Sequence, residues 1–508
     1  MTRTLHSLLR DAPPTRALPE DISPAREISA IYSDSREAPH HGDGGLFVCI
    51  AGAAFDGHAF ARRAYDDGCR TFAVMHPLEL PADATQLVYE DTRRALAQLS
   101  SAFYGHPSRE LTVFGITGTK GKTTTALMTY ELLSHAGVSA AYIGSNGIRY
   151  GDTVRRTKNT TPESLILQRT MRELCDCGVR VLVMEVSSQA IMQHRIDGIA
   201  FDTVLFTNLS PDHIGPTEHP SFEAYKSEKR KLFSDYGAKT VILNADDPAA
   251  TEMLPPSGTV ATFSVKGSIT DARLPAPKLS ARDIRLSAHT LGNTFLLCDA
   301  GGTETEVDLP LPGVCNVENL LGALSLCETV GPLPGDLKSA ILSMQVEGRA
   351  ETIVTEDRLR IVIDYAHNEA SMREILTALA KYPHDRLTVL FGSVGGRTEA
   401  RRGTMGAVAS ELADFCILTS DNPDRESPEA IMNDILAGFK RDCPYVMIAD
   451  RREAIEYALS TARPNDILLL AGKGHEGYQR VDGKDLPFSE REIVERYLAS
   501  HPRTVPCV

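Results

Sequence analysis

Short, nearly continuous apolar runs recur along the chain, separated by stretches in which apolar positions return every three or four residues. In the first hundred residues the runs GGLFVCIAG, RTFAVMH and TQLVYE alternate with the helical patterns HAFARRAYDDG and DTRRALAQLSSAFY. Such alternation predicts an α/β unit. The loop Gly105-His106-Pro107-Ser108 interrupts it, which puts a first domain at 1–108. Next come LTVFGIT, a Gly-rich turn and the helix TTALMTYELLSHAG, then VRVLVMEV, FDTVLFTNL and KTVILNAD. β-Branched runs of this kind, with helices between them, predict a parallel sheet covered on both faces. The Gly/Pro-rich GPLPGD and the helix LKSAILSMQ close this unit at Glu347-Gly348-Arg349, giving a second domain at 109–346. LRIVIDYAH, DRLTVLFGS, DFCILTSD and NDILLLAGKG again alternate with helices and predict a third α/β domain at 347–508.

Composition narrows the class. A chain of 508 residues agrees with about three domains at roughly 150 residues each. It is 42% hydrophobic and 24% charged, as in ordinary globular proteins. The formal net charge of −14 argues against a nucleic-acid partner, because a phosphate backbone demands basic surface. The start, MTRTLHSLLRDAPPTRALPED, lacks the apolar core of a signal peptide, and no run of about 18 apolar residues occurs. The expectation is a cytoplasmic protein with no membrane insertion. Ten scattered cysteines show no zinc or redox spacing and read as reduced structural thiols.

The chemistry begins at Gly115-Ile-Thr-Gly118-Thr119-Lys120-Gly121-Lys122-Thr123-Thr124, where a strand hands over to a helix. Backbone N–H groups of such a turn and the helix N-terminus form an anion cradle. Lys122 reaches β/γ-phosphates, and the Thr123 hydroxyl takes a place on Mg2+. The usual P-loop has glycine where Ile116 stands, so the match is to the Gly-Lys-Thr end. A Gly-rich turn holding no nucleotide is the plainer alternative. A phosphate loop alone predicts nucleotide binding and leaves the reaction open.

Further blocks follow in order: Asn159-Thr160-Thr161-Pro162, Met184-Glu185-Val186-Ser187-Ser188 and Thr207-Asn208-Leu209-Ser210-Pro211-Asp212-His213. Asn244-Ala245-Asp246-Asp247, Asn316-Val-Glu-Asn319, Gly348-Arg349 and Asp364-Tyr365-Ala366-His367 come next, then Asp421-Asn422-Pro423 and Gly472-Lys473-Gly474-His475-Glu476. In this order and spacing the chain resembles the Mur ligase family over residues 115–476. Within the family, Asn159-Thr-Thr, Gln193-His194-Arg195, Gly395-Gly396-Arg397 and Gly-Lys-Gly-His-Glu resemble the members that add the diamino acid of the peptidoglycan stem peptide.

The resemblance implies three α/β domains: an N-terminal UDP-binding one, a central P-loop ATPase and a Rossmann-like C-terminal one. It implies an ATP- and Mg2+-dependent, monomeric ligase that joins a free diamino acid to UDP-N-acetylmuramoyl-L-alanyl-D-glutamate through an acyl phosphate. The physics agrees: a phosphate loop activates a carboxylate, and catalysis is chiefly electrostatic. Carried over by position, Gly118, Thr119, Lys120, Gly121, Lys122, Thr123, Thr124, Asn316, Asn319, Arg349 and Asp364 bind ATP. Glu185, His213 and Lys229 are metal-linked along with Thr123, with Lys229 carbamylated into a carboxylate-like ligand. Lys226 and Lys231 lie close by, but the family pattern of Lys, short spacer and Leu-Phe selects Lys229 over both and over a merely solvated basic face. Ser35, Asn159, Thr160, Thr161, Ser187, Gln193 and Arg195 match contacts to the nucleotide-linked dipeptide; for Ser35 helix capping is a competing role. Arg397, Asp421, Asn422, Pro423, Asp424, Arg425, Gly472 and Glu476 match the amino-acid pocket. Residues split between two domains imply closure over the nucleotide, which protects an acyl phosphate from water.

Two departures bear on specificity. Members that add meso-diaminopimelate usually read Asp-Asn-Pro-Arg, whereas here Asp424 holds the fourth position and Arg425 follows. An acidic side chain there repels a distal carboxylate and favours the bare ammonium of lysine or ornithine. The Gly-Lys-Gly-His-Glu block points the other way, and diaminopimelate is the favoured reading. The segment after His213, Ile214-Gly-Pro-Thr-Glu-His219-Pro-Ser, replaces the usual Leu-Asp-Tyr-His-Gly and leaves acceptor-side contacts open. The rivals are a folylpolyglutamate-synthase-like ligase, which shares the phosphate loop, and a non-catalytic ATP-binding regulator, which has no need of so complete a set of catalytic positions.

Overall fold

The structure is a computed structural model that describes the chain apart from residues 20–22, 24, 53–55, 213, 216–217, 268, 270, 332, 334, 397–399 and 504–508. The chain forms two compact units, one built from residues 1–264 with short later segments, the other from 279–321 and most of the chain after 335.

The first unit carries two large sheets besides the short antiparallel pair Arg3–Thr4 and Glu27–Ile28. Near the N-terminus, strands Ala30–Tyr32, Gly45–Val48, Thr71–Val74 and Thr85–Val88 run parallel, with Arg16–Leu18 antiparallel on the edge. Gly45–Val48 and Thr71–Val74 are buried along their whole length, which is why they read as unbroken apolar runs. The second sheet has the parallel order Ala140–Gly144, Val181–Glu185, Thr112–Thr117, Thr203–Phe206, Thr240–Asn244, Thr259–Ser264. The antiparallel strands Gly147–Tyr150 and Thr153–Arg155 extend one edge. Helix starts follow local chemistry: Asp91 accepts from the Arg93 and Arg94 amides, and Ser221 accepts from Ala224. The strand-to-helix turns at the C-terminal edge of this sheet hold residues 118–121 and Val186-Ser187, at the edge where open parallel sheets collect ligands.

In the second unit the strand order is Glu351–Val354, Arg360–Asp364, Ile467–Ala471, Leu387–Phe391, Phe415–Leu418, Tyr445–Met447, all parallel except the first. Helix Val314–Cys327 carries Asn316 and Asn319. Among the described residues no helix is long and apolar enough to cross a membrane.

Candidate active site

The phosphate loop lies between strand Thr112–Thr117 and helix Lys122–His135. Its conformation demands its glycines. Gly118 has φ of +152° and Gly121 +82°, and a Cβ on Gly118 would fall 1.9 Å from Thr207 Oγ1. The neighbouring strand end fastens the loop from the side. The Lys120 amide donates to Asn208 Oδ1 at 2.9 Å, the Thr119 amide donates to Asn208 O at 2.9 Å, and Thr207 Oγ1 donates to Lys120 O at 2.6 Å. Lys122 Nζ curls over the loop and donates to the carbonyls of Gly118 and Thr119, both at 2.9 Å.

Glu185 ends strand Val181–Glu185 and is fully buried. Buried carboxylates require donors, and four side-chain or backbone groups supply them. Thr123 Oγ1 donates to Oε2 at 2.9 Å, Tyr142 OH donates to Oε1 at 2.6 Å, the Ser145 amide donates to Oε1 at 2.8 Å, and Ser145 Oγ approaches Oε2 at 3.4 Å. Gly144 is glycine for this reason: a Cβ there would sit 2.1 Å from Glu185 Oε1.

The positions matched to the dipeptide substrate gather on the other side of Glu185. Thr160 Oγ1 lies 3.0 Å from Ser145 Oγ, and Thr161 Oγ1 donates to the Glu185 carbonyl at 2.8 Å. The Ser187 amide donates to Thr161 Oγ1 at 3.1 Å. Arg195 Nη1 donates to Thr161 O at 3.0 Å, and its other arm reaches Gln193 Oε1 at 2.7 Å and Glu163 at 3.0 Å. Asn159 Nδ2 joins at Glu163 Oε1, 3.4 Å away. Ser35 lies apart from these residues, in the turn Ser35–Glu37 that follows strand Ala30–Tyr32 of the N-terminal sheet. There Asp34 rather than Ser35 caps, accepting from the Arg36 amide at 3.0 Å, so the capping alternative for Ser35 is excluded.

Lys229 projects from helix Phe222–Ser234 to the back of the loop, with Nζ donating to Gly118 O at 2.8 Å and lying 4.7 Å from the Tyr225 ring centroid. Tyr225 OH donates to Thr119 Oγ1 at 3.1 Å. Lys226, by contrast, pairs with Glu223 and Glu252, and Lys231 pairs with Glu228, as surface residues do. Burial holds the Lys229 ammonium well below its ordinary range; the Lys122 charge adds to that, and Asp212 opposes it. His213 lies outside the described residues; the strand before it ends at Phe206.

These geometries make the Gly-rich loop, the Thr123–Glu185 hydroxyl–carboxylate pair and the cluster of Ser145, Thr160, Thr161 and Arg195 continuous with one another. Residues 116–327 match the Mur ligase middle domain, and residues 348–474 match the Mur ligase glutamate ligase domain. The chain belongs to the Mur ligase family. It is therefore an ATP-dependent amide-bond ligase. The UDP-N-acetylmuramoyl-L-alanyl-D-glutamate–2,6-diaminopimelate ligase of Caldanaerobacter subterraneus subsp. tengcongensis is 38% identical over 480 residues, covering 94% of this chain and 96% of that one. The enzyme of the same name from Chlorobaculum tepidum is 39% identical, over 93% and 92% of the two chains. A solved ligase of that name superposes with a TM-score of 0.68 at 27% identity over 99% of this chain and 100% of its own. Mycobacterium tuberculosis folylpolyglutamate synthase shares the fold over only 75% of this chain and 92% of its own, with a TM-score of 0.56 at 18% identity.

The remaining Mur ligase positions lie in the second unit. Asn316 and Asn319 face one another one helical turn apart, Asn319 Nδ2 donating to Asn316 Oδ1 at 3.1 Å. The Arg349 guanidinium stacks over the Tyr365 ring at 4.9 Å, and Asp364 Oδ2 accepts from the Ala350 amide at 2.7 Å. Burial raises the Asp364 carboxyl, against the pull of Arg349. Asp421, Asn422 and Glu476 converge on a buried lysine. Lys473 Nζ donates to Asn422 Oδ1 and Glu476 Oε2, each at 2.9 Å, and lies 3.5 Å from Asp421. Asn422 Nδ2 also donates to Glu476 Oε2 at 2.9 Å. Gly472, at φ +113°, approaches so closely that a Cβ would stand 2.8 Å from Asp421 Oδ2. The Gly395 amide donates to Asn422 O at 2.9 Å and packs on Pro423 O; Arg397 lies outside the described residues.

Asp424 is turned into a hairpin. Its Oδ1 accepts from the Gly483 amide at 2.7 Å, inside the turn joining Tyr478–Val481 to Lys484–Pro487. Its own amide donates to Arg480 O at 3.0 Å, and its carbonyl accepts from Asp482 at 2.7 Å. Arg425 lies alongside the same turn, near Gly483.

Sequence reasoning missed the residues that hold others in place. Tyr142 and Ser145 cage Glu185, yet nothing local marks them. Lys473 belongs to the Gly-Lys-Gly-His-Glu block, and its apolar flank LLLAG was the available hint of burial. His219, from the segment that departs from the family pattern, is buried, with Nε2 2.8 Å from Ser188 Oγ and its ring 5.3 Å from Tyr225.

Proposed function

We propose that this ligase is of the MurE type, joining a diamino acid to UDP-N-acetylmuramoyl-L-alanyl-D-glutamate in the cytoplasm, with meso-diaminopimelate as the amino acid. The observation that carries the reading is the convergence on Glu185: phosphate-loop Thr123 reaches it from one side, Ser145 and Thr161 from the other. Nucleotide phosphate and substrate carboxylate thereby meet at one buried anionic point.

In this reading the loop amides and Lys122 bind the triphosphate, Lys122 countering the charge that builds as the γ-phosphoryl moves to the substrate carboxylate. The donor set of Thr123 Oγ1 and Glu185 Oε2 is all oxygen, which suits Mg2+. Those two residues would hold the ion, which when bound neutralises phosphate charge. His213 belongs to the same proposed set by family position. Lys229 is the proposed carbamate: a buried amine held neutral is a nucleophile for carbon dioxide, forming an N–C bond and releasing a proton. Arg195, with Thr160, Thr161, Ser187, Gln193 and Asn159, orients the dipeptide; Ser35 belongs with the UDP end. In the second unit, Asn316, Asn319, Arg349 and Asp364 are the proposed nucleotide partners. The amine of the incoming amino acid meets Asp421, Asn422, Gly472 and Glu476, and then displaces phosphate.

Two observations favour diaminopimelate. The curated relatives at 35–39% identity carry that amino acid in their names. The Asp424 carboxylate, whose charge argued for lysine or ornithine, is engaged by the Gly483 amide. The test measures ADP release from ATP and the nucleotide-linked dipeptide, with diaminopimelate, lysine and ornithine in parallel and a folate arm as control. Diaminopimelate should give the highest kcat/KM. A preference for lysine or ornithine would overturn the amino acid, and turnover with folate alone would overturn the acceptor.

A further inference from the structure

Arg451 is a large cation in an unexpected place. It is the first residue of helix Arg451–Thr461, at the end where the helix dipole disfavours positive charge, and its side chain is 0% exposed. Its partner Glu490 is equally buried, Nη2 lying 2.8 Å and Nε 3.0 Å from Glu490 Oε1. Burying both charges yields little net stability, since desolvation offsets their attraction. Another use is needed to account for the pair.

The rest of the guanidinium supplies one. Nη1 donates to Ser420 O at 3.1 Å and Nη2 to Ala471 O at 2.8 Å. Ser420 and Ala471 immediately precede Asp421 and Gly472. The strands that lead to them, Phe415–Leu418 and Ile467–Ala471, are not paired with each other, because Leu387–Phe391 runs between them. Sheet hydrogen bonds link them only through that strand, with register pairs ending at Leu418 and Leu470, so no ladder bond joins Ser420 to Ala471 directly. The spacing there is tight, with Gly472 against Asp421 Oδ2 and Lys473 bonded to Asn422. A planar fork with fixed donor directions suits this task, and a single ammonium does not.

We propose that Arg451, held by Glu490, is a positioning residue for the amino-acid pocket, setting the distance between the Asp421-Asn422 and Gly472–Glu476 segments so that the incoming amine is held for attack. The proposal rests on the reading of those segments as the amino-acid pocket.

The test uses the whole enzyme and measures KM separately for the amino acid, ATP and the nucleotide-linked dipeptide. Replacing the pair with apolar residues of similar size, Arg451→Met with Glu490→Leu, removes the bridge without stranding a charge, so the fold should survive with an unchanged or higher Tm. The amino-acid KM should rise on the order of tenfold or more, in line with the cost of sub-ångström to 1 Å misplacement. The other two KM values should stay within about twofold, well inside that effect. Arg451→Lys keeps the charge without the fork and should raise the same KM by a smaller factor; it decides the matter if the double variant does not fold. An unchanged amino-acid KM in a folded variant, or an equal rise in all three constants, overturns the proposal. Asp421→Asn separates the two levels. If it leaves the amino-acid KM untouched the pocket reading fails; if it raises that KM while the Arg451 variants do not, only the bridge fails.

Discussion

Thr123 and Glu185, 62 positions apart, share a 2.9 Å hydrogen bond from the threonine hydroxyl to Oε2, and this contact joins the Gly-rich loop to the end of strand Val181–Glu185. It exists because strands Val181–Glu185 and Thr112–Thr117 pair in parallel, with Glu185 beside Ile116. Any change in that register would carry the carboxylate away from the loop.

Glu185→Gln should retain the fold, because Tyr142 and the Ser145 amide still find one oxygen to bond. It should lower kcat by about 100- to 1,000-fold, the range for losing one preorganised electrostatic contact. Steady-state ADP release alongside circular dichroism checks both parts. Near-normal turnover would remove Glu185 from the phosphate site.

Lys229→Ala tests the carbamate. The variant should be nearly inactive and partly restored by a small added carboxylate such as acetate or formate, which occupies the vacated space. Lys226→Ala, which loses only surface pairs, should stay within about 0.5 kcal/mol of the parent in stability and keep its activity. Full activity of Lys229→Ala without rescue would end the assignment.

Asp424→Asn separates a turn residue from a specificity residue. Asparagine tolerates the +54° φ of this position and still accepts from Gly483. Stability and the choice among the three amino acids should therefore both be unchanged. Asp424→Arg should cost about 1 kcal/mol through the lost turn hydrogen bond, seen as a lower unfolding midpoint. A switch in amino-acid preference on Asp424→Asn would show that the carboxylate faces the substrate.

His194 should make stability depend on pH. The Asp197 carboxylate, at 3.0 Å, raises its pKa above the ordinary value; burial and Arg94 oppose, and Asp91 at 3.7 Å assists. A histidine whose folded pKa exceeds the unfolded value of about 6.5 stabilises fully below that value and loses the contribution as pH rises through the folded pKa. His194→Asn, compatible with the left-handed backbone there, should lower Tm more at pH 5.5 than at pH 8.5. An equal loss at both would remove the ion pair from the stability of this region.

Much of the site is legible in the sequence. The phosphate loop can be read there because its requirements are local: glycines at left-handed positions, a lysine and a threonine on the first turn of a helix, all within ten residues. Glu185 is legible as the polar end of an apolar strand. Lys229 is separated from Lys226 and Lys231 in the sequence only by family spacing, and the structure adds the physical difference, burial against Gly118 O versus surface ion pairing. Asp424 is harder to read, for the opposite reason. Its charge is plain in the sequence, but its direction depends on a hairpin more than fifty residues downstream.

By itself the sequence determined the alternation of strands and helices, the Gly-rich strand-to-helix turn and membership of a ligase family, because backbone preferences and short motifs act over a few residues. Only the tertiary structure decided that Tyr142 and Ser145 cage Glu185, that Asp424 serves a turn, and that Arg451 bridges two strand ends. Those contacts follow from sheet order and register, which bring together polar groups that no local rule relates.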